Sequence, residues 1–475
     1  TCLVDALRNQ FRLLPQPLFF FRRKIGQKQR AYNETIKQLF SKTMDQNRRT
    51  ILKTGSAAGL AASIPGIIKA QNSPDQIKIG VIGCGGRGSG ALGQAMSADP
   101  NVVLWAIGDA FEGGVKNALG VGGRFNERMQ ATKERQFIGL DAYKGVMSSG
   151  VDVVLLCTPP HFRPQHLRAA VEAGIHAFVE KPMAIDMPGI KSVIESAQMA
   201  KKKGTAIQHG YCWRYSPANR ELFKQIHSGD LGRVVSIYGT YLASPVAPLS
   251  NATKKPEGMG DVEFQTRYWQ NFEWLNGSPL VEQCIHIVDK VAWTMNDEAP
   301  IAAIANGGRA HREDQSNVFD HYDVTYEYAG GVYAHVKQRQ MMNTHGENIH
   351  RVICENGTAV GPWNVFTLDK EGKKNWRFRK EKDQENNMYQ VCHNEFFAAL
   401  RAGKIVNTGE QMAKSTALGL LGREAAHTGK RITWEDYWKS EEDQAPDDIK
   451  FTDSFPVAPI PQPGRERKQT KPSRA

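Results

Sequence analysis

The apolar run Ile77-Lys78-Ile79-Gly80-Val81-Ile82 leads directly into Gly83-Cys84-Gly85-Gly86-Arg87-Gly88 and then into a helical stretch reaching Met96. A buried strand, a glycine turn and a helix in that order predict the first unit of a dinucleotide-binding α/β domain. Gly83 suits the tight turn, Gly85 the close approach of a pyrophosphate, and Gly88 the contact between helix and strand. Cys84 and Arg87 lie within the same loop, and the helix N-terminus offers amide donors and partial positive charge to phosphates. A second strand, Val102 to Gly108, ends at Asp109, 21 residues beyond Gly88, where an acid bonds a ribose hydroxyl. A carboxylate there repels a 2′-phosphate, which favours NAD over NADP, although Arg87 stands where it would accommodate that phosphate. The alternative role for Asp109 is a helix cap after the strand.

The stretch from Val151 to Asp186 reads as strand, helix, strand. Its first strand ends at Thr158-Pro159-Pro160, a loop suited to lie along the nicotinamide ribose, so Thr158 and Pro159 are cofactor candidates. His161 and His166 in that loop are assigned no role. The second strand, Ile175 to Val179, ends at Glu180-Lys181-Pro182. Ligands of open α/β sheets bind beyond the carboxyl ends of the strands, so Glu180 and Lys181 belong to a cofactor crevice.

After the lysine-rich helix Gly189 to Gly204, Thr205 to Gly210 reads as the last strand of this domain. Tyr211, Trp213, Arg214 and Tyr215 follow at the crossover, and two readings stay open for them: flanking a sugar ring, or packing between domains. On one helix Glu282, His286, Asp289 and Trp293 fall at i, i+4, i+7 and i+11 and share a face. Two acids and an imidazole on one stripe are costly in a core. With no second cluster of ligands a metal site is poorly supported, and none is assigned. Catalysis fits better: a histidine beside a carboxylate takes a hydroxyl proton, and Lys181 favours the anionic oxygen. Period-two strands from Ala302 to Gln340, with a Gly330-Gly331 turn, predict an antiparallel sheet with one wet face, which would cover a substrate or join subunits. Helices are expected over Met388 to Ala402 and Gly409 to Thr428, and an extended or mobile tail from Ala445.

Taken together, Gly83 to Gly88, Asp109, Thr158-Pro159, Ala173-Gly174-Ile175-His176 and Glu180-Lys181-Pro182 resemble the Gfo/Idh/MocA family (glucose-fructose oxidoreductase, inositol dehydrogenase, rhizopine catabolism) over roughly residues 76 to 435. The resemblance implies an α/β protein: a Rossmann domain followed by an α/β domain with a large open sheet, with Lys181 near the nicotinamide. The family pattern Asp-x-Gly-x-His-x-x-Asp is matched at His286 and Asp289, but Glu282 replaces the first Asp and Cys284 the Gly. Glu282 is therefore carried as both a catalytic and a substrate-contacting candidate, and inositol or glucose specificity is not transferred. The expected organisation is a leader over 1–72, a Rossmann domain over 73–210, a substrate and oligomerisation domain over 211–440 and a tail over 441–475.

Charge separates the leader from the body. Of 61 Lys+Arg and 49 Asp+Glu, residues 1–72 hold 13 and 3, leaving 48 and 46 in the remainder. That near-neutral body lacks the footprint of a nucleic-acid binder. Within the leader, Met44, Arg48-Arg49, the mild apolar run Gly55 to Ile68 and Ala70 resemble a twin-arginine export signal, with Met44 as the expected true start and residues 1–43 given no function. Export to the periplasm, and the translocation machinery as a partner, follow as expectations. Seven scattered cysteines demand no disulfides. The leading functional expectation is an exported oxidoreductase with NAD held tightly, acting on a hydroxyl of a sugar, cyclitol or glycoside, and forming a homo-oligomer. Redox-assisted glycoside cleavage and a non-catalytic sugar binder are the alternatives.

Overall fold

The computed structural model describes residues 75–250, 253–444 and 448–465; the leader with its arginine pair lies outside them. Six short strands, β1 (Ile77–Ile82), β2 (Val102–Asp109), β3 (Gln136–Ile138), β4 (Val153–Leu156), β5 (His176–Val179) and β6 (Ile207–His209), form a parallel sheet in the order β3-β2-β1-β4-β5-β6. The continuous apolar runs explain it: β4 and β5 are buried along their whole length, as strands covered by helices on both faces must be. Helix Met187–Lys203 shows how local chemistry sets its ends. The Asp186 side chain accepts the Gly189 N–H, three lysines complement the C-terminal dipole, and Gly204 stops the helix in the left-handed region at φ 69°.

The second sheet has nine strands: β7 (Val234–Ala243), β8 (Ala302–Gly308), β9 (His321–Tyr328), β10 (Val332–Gln340), β11 (Glu347–Cys354), β12 (Gly357–Gly361), β13 (Phe366–Asp369), β14 (Lys374–Arg377) and β15 (Ile432–Thr433). Their order is β14-β13-β12-β11-β7-β10-β9-β8-β15, antiparallel except where β7 runs parallel to β10. Burial alternates strictly along β9 and β10, so one face is packed and the other wet, as the period-two pattern requires. Helices Ile285–Thr294 and Gly409–Thr428 lie in the same apolar core as the packed face, together with Val179, Met183 and Ile190 of the Rossmann half.

Two segments cross between the halves. Helix Met388–Arg401 returns to the Rossmann sheet and places Cys392, Phe396, Phe397 and Leu400 in the core beneath β1 and β4. The described part of the C-terminal segment, 448–465, is fastened to the body: Phe455 packs with Phe162, Ile185 and Trp274, and the Gln265 amide donates to the Phe455 carbonyl.

At the crossover after β6 the packing reading of the aromatic cluster is the one the geometry favours. Tyr211 is buried and its hydroxyl pairs with that of Thr416 at 2.8 Å, while Trp213 packs edge-on against Trp363. Arg214 is 8 % exposed and joins Asp289, 1 % exposed, at 2.9 Å and Asp297 at 2.5 Å. Burial opposes the guanidinium charge, but the two carboxylates more than restore it and raise the pKa of Arg214. Removing one partner of a buried pair leaves a bare charge. Arg214→Met is therefore expected to lower the unfolding free energy by roughly 3–5 kcal/mol, read as a lower urea midpoint at unchanged slope.

Candidate active site

The glycine loop is built by contacts that admit no side chain at two of its positions. A Cβ on Gly83, whose φ is +84°, would lie 2.6 Å from the Thr158 nitrogen, and one on Gly88 would lie 1.8 Å from the Gly83 carbonyl oxygen. At Gly85 and Gly86 a Cβ would meet nothing within 4 Å. The loop is thus tight toward the protein and open toward the cleft, where the first-turn amides of helix Gly86–Ala98 lack intrahelical acceptors. That is the cradle a pyrophosphate needs. Arg163 Nε and His166 Nε2, buried on the same wall, likewise find no partner among the described residues.

The cleft measures about 620 Å³ and is lined from both halves of the molecule. Of the cofactor candidates, Gly83, Gly85, Arg87, Gly88, Asp109, Thr158, Pro159, Glu180 and Lys181 all reach it. Cys84 does not: its N–H is spent on Asp109 Oδ2 at 2.6 Å, and its thiol points back toward the Gly108 carbonyl. Asp109 also accepts the Phe111 N–H at 2.8 Å; burial raises its pKa, against the pull of these two amides. The carboxylate so positioned marks the adenosine-ribose end of the cleft. Arg87 is held elsewhere, with Nε 2.8 Å from Glu180 Oε1 and a nitrogen 2.7 Å from Gln94, so it is not placed as a 2′-phosphate clamp.

At the opposite end Lys181 reaches across 101 residues of sequence to Glu282, with Nζ 3.0 Å from Oε1 and also bonded to the Glu282 carbonyl at 2.5 Å. His286 lines the cleft beside them. The chain here is not the single helix expected from the spacing: Pro279–Glu282 and Ile285–Thr294 are separate helices, broken at Gln283-Cys284. Glu282 and His286 both line the cleft across this break, while Asp289, on the same helix as His286, does not. Asp289, expected to be catalytic, is absent from the lining and is held by Arg214 and by the Ser415 hydroxyl at 2.7 Å. Tyr211, Trp213 and Arg214, expected to touch substrate, do not line the cleft either.

Burial, with Lys181 and Lys290 nearby, pulls the pKa of His286 well below the ordinary histidine value, so its ring is neutral at pH 7. Lys290 is fully buried, donates to the His286 carbonyl at 3.1 Å and stands 4.3 Å from the Trp213 ring centroid. Several lining residues carried no sequence signal: Phe111, Arg267, Trp269, Gln270 and Tyr389. Tyr389 arrives on the returning helix and sits 4.9 Å from the Arg87 guanidinium. Among the described residues no group of His, Cys, Asp or Glu is arranged to hold a metal ion, and no helix is long and apolar enough to cross a membrane.

Comparison with known proteins agrees with this architecture. Residues 77–211 match the family description "Oxidoreductase family, NAD-binding Rossmann fold", and residues 219–360 match the GFO/IDH/MocA C-terminal domain. The chain belongs to the Gfo/Idh/MocA oxidoreductase family. Its cofactor is NAD, and the glycine cradle and Asp109 fit that dinucleotide. An inositol 2-dehydrogenase of Saccharopolyspora erythraea is 24% identical over 284 residues, 60% of this chain and 73% of that protein. A glycosyl hydrolase family 109 protein of Shewanella pealeana is 28% identical over 351 residues, 68% of this chain and 74% of that one. Among solved structures, levoglucosan dehydrogenase in complex with NADH and levoglucosan shares the fold, with a TM-score of 0.60 at 19% identity, covering 76% of this chain and 99% of that one.

The buried lysine under the site gives a pH test of this packing. Burial, opposed by Asp289, takes the pKa of Lys290 from 10.5 down to about 7. Between those values the unfolded chain binds more protons at this position than the native one, so stability attributable to Lys290 rises with pH from about 7 upward. Lys290→Met is expected to flatten the rise in Tm between about pH 7 and pH 10, measured by thermal melts against wild type.

Proposed function

We propose that the protein oxidises a hydroxyl group of a sugar, cyclitol or glycoside at the end of the cleft where Lys181, Glu282 and His286 meet. The observation that carries this reading is the Lys181–Glu282 contact at 3.0 Å beside a neutral His286, on the same cleft as the glycine cradle. Bound NAD supplies the acceptor for the hydride that leaves the carbinol carbon. His286 takes the hydroxyl proton, since its ring is uncharged, and Lys181 holds the oxygen as negative charge grows on it. Glu282 fixes the lysine and offers a carboxylate oxygen to a neighbouring hydroxyl.

Export is part of the proposal: the paired arginines Arg48-Arg49, the apolar run to Ile68 and Ala70 support passage through the twin-arginine machinery to the periplasm. In that compartment the cofactor is retained and recycled between two substrates. The wet face of the large sheet, with Ile304, Tyr333 and Ile353 exposed, supports assembly with further copies of the chain.

A second reading, redox-assisted glycoside cleavage, is favoured by the match to the family 109 glycosyl hydrolase over 68% of this chain. Oxidising one sugar carbon acidifies its neighbour, and His286 and Lys181 would serve that step equally. Aryl glycosides separate the two. Accumulating keto-sugar supports the dehydrogenase; free aglycone without net cofactor reduction supports cleavage and sinks the first reading. In either case Lys181→Ala is expected to lower kcat by roughly two to three orders of magnitude while NAD still binds, measured by turnover and by titration of the dinucleotide. Wild-type turnover in that variant would remove Lys181 from the chemistry.

A further inference from the structure

The adenosine end of the cleft is closed by residues from three separate parts of the chain. Phe111 follows Asp109 by two positions, and its N–H is fixed on the Asp109 carboxylate. Its ring stacks on Phe451 of the C-terminal segment, with centroids 5.3 Å apart and planes 12° from parallel. Over the same ring, at 4.1 Å from its centroid, stands the guanidinium of Arg267, from the last turn of helix Asp261–Arg267. Phe111 and Arg267 both line the cleft.

Each part is braced. Arg267 spends one edge on Glu263, with Nη2 at 2.6 Å and Nε at 3.1 Å from Oε1. The C-terminal segment is tied to the start of the same helix, since the Phe455 N–H donates to Asp261 Oδ2 at 2.9 Å. Gly260 lies so close to the strap that a Cβ there would meet the Phe451 carbonyl oxygen at 1.9 Å. With its edge on Glu263 and one face toward Phe111, the guanidinium keeps its second face, and such a face stacks on nucleobases.

We propose that Arg267, backed by Phe111 and the C-terminal strap at Phe451, is a stacking clamp for the adenine of the bound dinucleotide. The inference rests on NAD occupying the cleft. A purine lies against the planar cation, whose position depends on a segment almost two hundred residues downstream. The second half of the molecule thereby holds the cofactor at the end remote from Lys181, a device for retaining a dinucleotide rather than for reacting with it.

The test is binding, without substrate, of three probes to the full chain: NAD, adenosine monophosphate and nicotinamide mononucleotide. Arg267→Ala is expected to weaken NAD and adenosine monophosphate about tenfold, about 1.4 kcal/mol, and to leave nicotinamide mononucleotide within about twofold. Arg267→Lys, which keeps the charge and loses the plane, should recover only a minor part of the loss. Phe451→Ala should give a smaller loss in the same two probes, with thermal melts confirming a folded protein. NAD affinity within about twofold of wild type in Arg267→Ala, equal losses for all three probes, or full rescue by lysine would each overturn the clamp. Wild-type protein that binds none of the probes would overturn the dinucleotide reading of the cleft itself.

Discussion

Two consecutive side chains at the end of β5 set the spacing between the walls of the cleft. Glu180, 2 % exposed, bonds Arg87 at 2.8 Å and so reaches the helix that carries the glycine loop. Lys181 reaches the other way, to Glu282 of the second half. The fit leaves no slack: a Cβ on Gly210 would lie 2.7 Å from the Glu180 carboxyl carbon. The phosphate cradle and the proposed proton acceptor are therefore registered against each other through one dipeptide. A lysine at the carboxyl end of a parallel strand stands on the edge of the sheet where open α/β folds bind ligands; here its neighbour also fixes how far the crevice opens.

Beneath the site the helix that begins at Ile285 is anchored by charge as well as by apolar packing. Asp289 is held by Arg214 and Ser415, and Lys290 by the His286 carbonyl and the Trp213 ring. Buried charges of this kind contribute little net stability and penalise every arrangement that leaves one unpaired. Their consequence is positional. His286 occupies the first turn of a helix that cannot rotate or slide without breaking the Asp289 contacts three residues on. The apolar core continuous between the two halves adds to this rigidity.

Much of this was legible in the chain because it rests on local rules. The glycine loop, β1, β10 and helix Gly409–Thr428 follow from turn chemistry and period, and they form over the residues the pattern indicates. Lys181 and His286 were legible through their place at a strand end and on a polar stripe. The stripe groups Asp289 with His286, and both do lie on helix Ile285–Thr294, but the Asp289 carboxylate is taken by Arg214 and Ser415, contacts that spacing along one helix does not reveal. The aromatic cluster at 211–215 reads alike for sugar binding and for domain packing; only the depth of Tyr211 and the ion pairs of Arg214 separate them. Phe111, Arg267 and Tyr389 left no trace because their roles arise from chain segments brought together by tertiary contacts.

The replacement of the family's aspartate by Glu282 has a physical reading in the proposed chemistry. A lysine ammonium has three donors, and Lys181 directs two of them to the carbonyl and Oε1 of Glu282. One donor remains for a substrate oxygen, which orients the ammonium toward a single hydroxyl instead of leaving it to swing. Among the described residues no hydrogen bond engages Glu282 Oε2, so the same carboxylate that steadies the lysine has an acceptor to spare. A donor on one oxygen and an acceptor for the next describe a pair of adjacent hydroxyls. That is the pattern common to sugars and cyclitols, and it follows from the valence of two side chains and the distance between them.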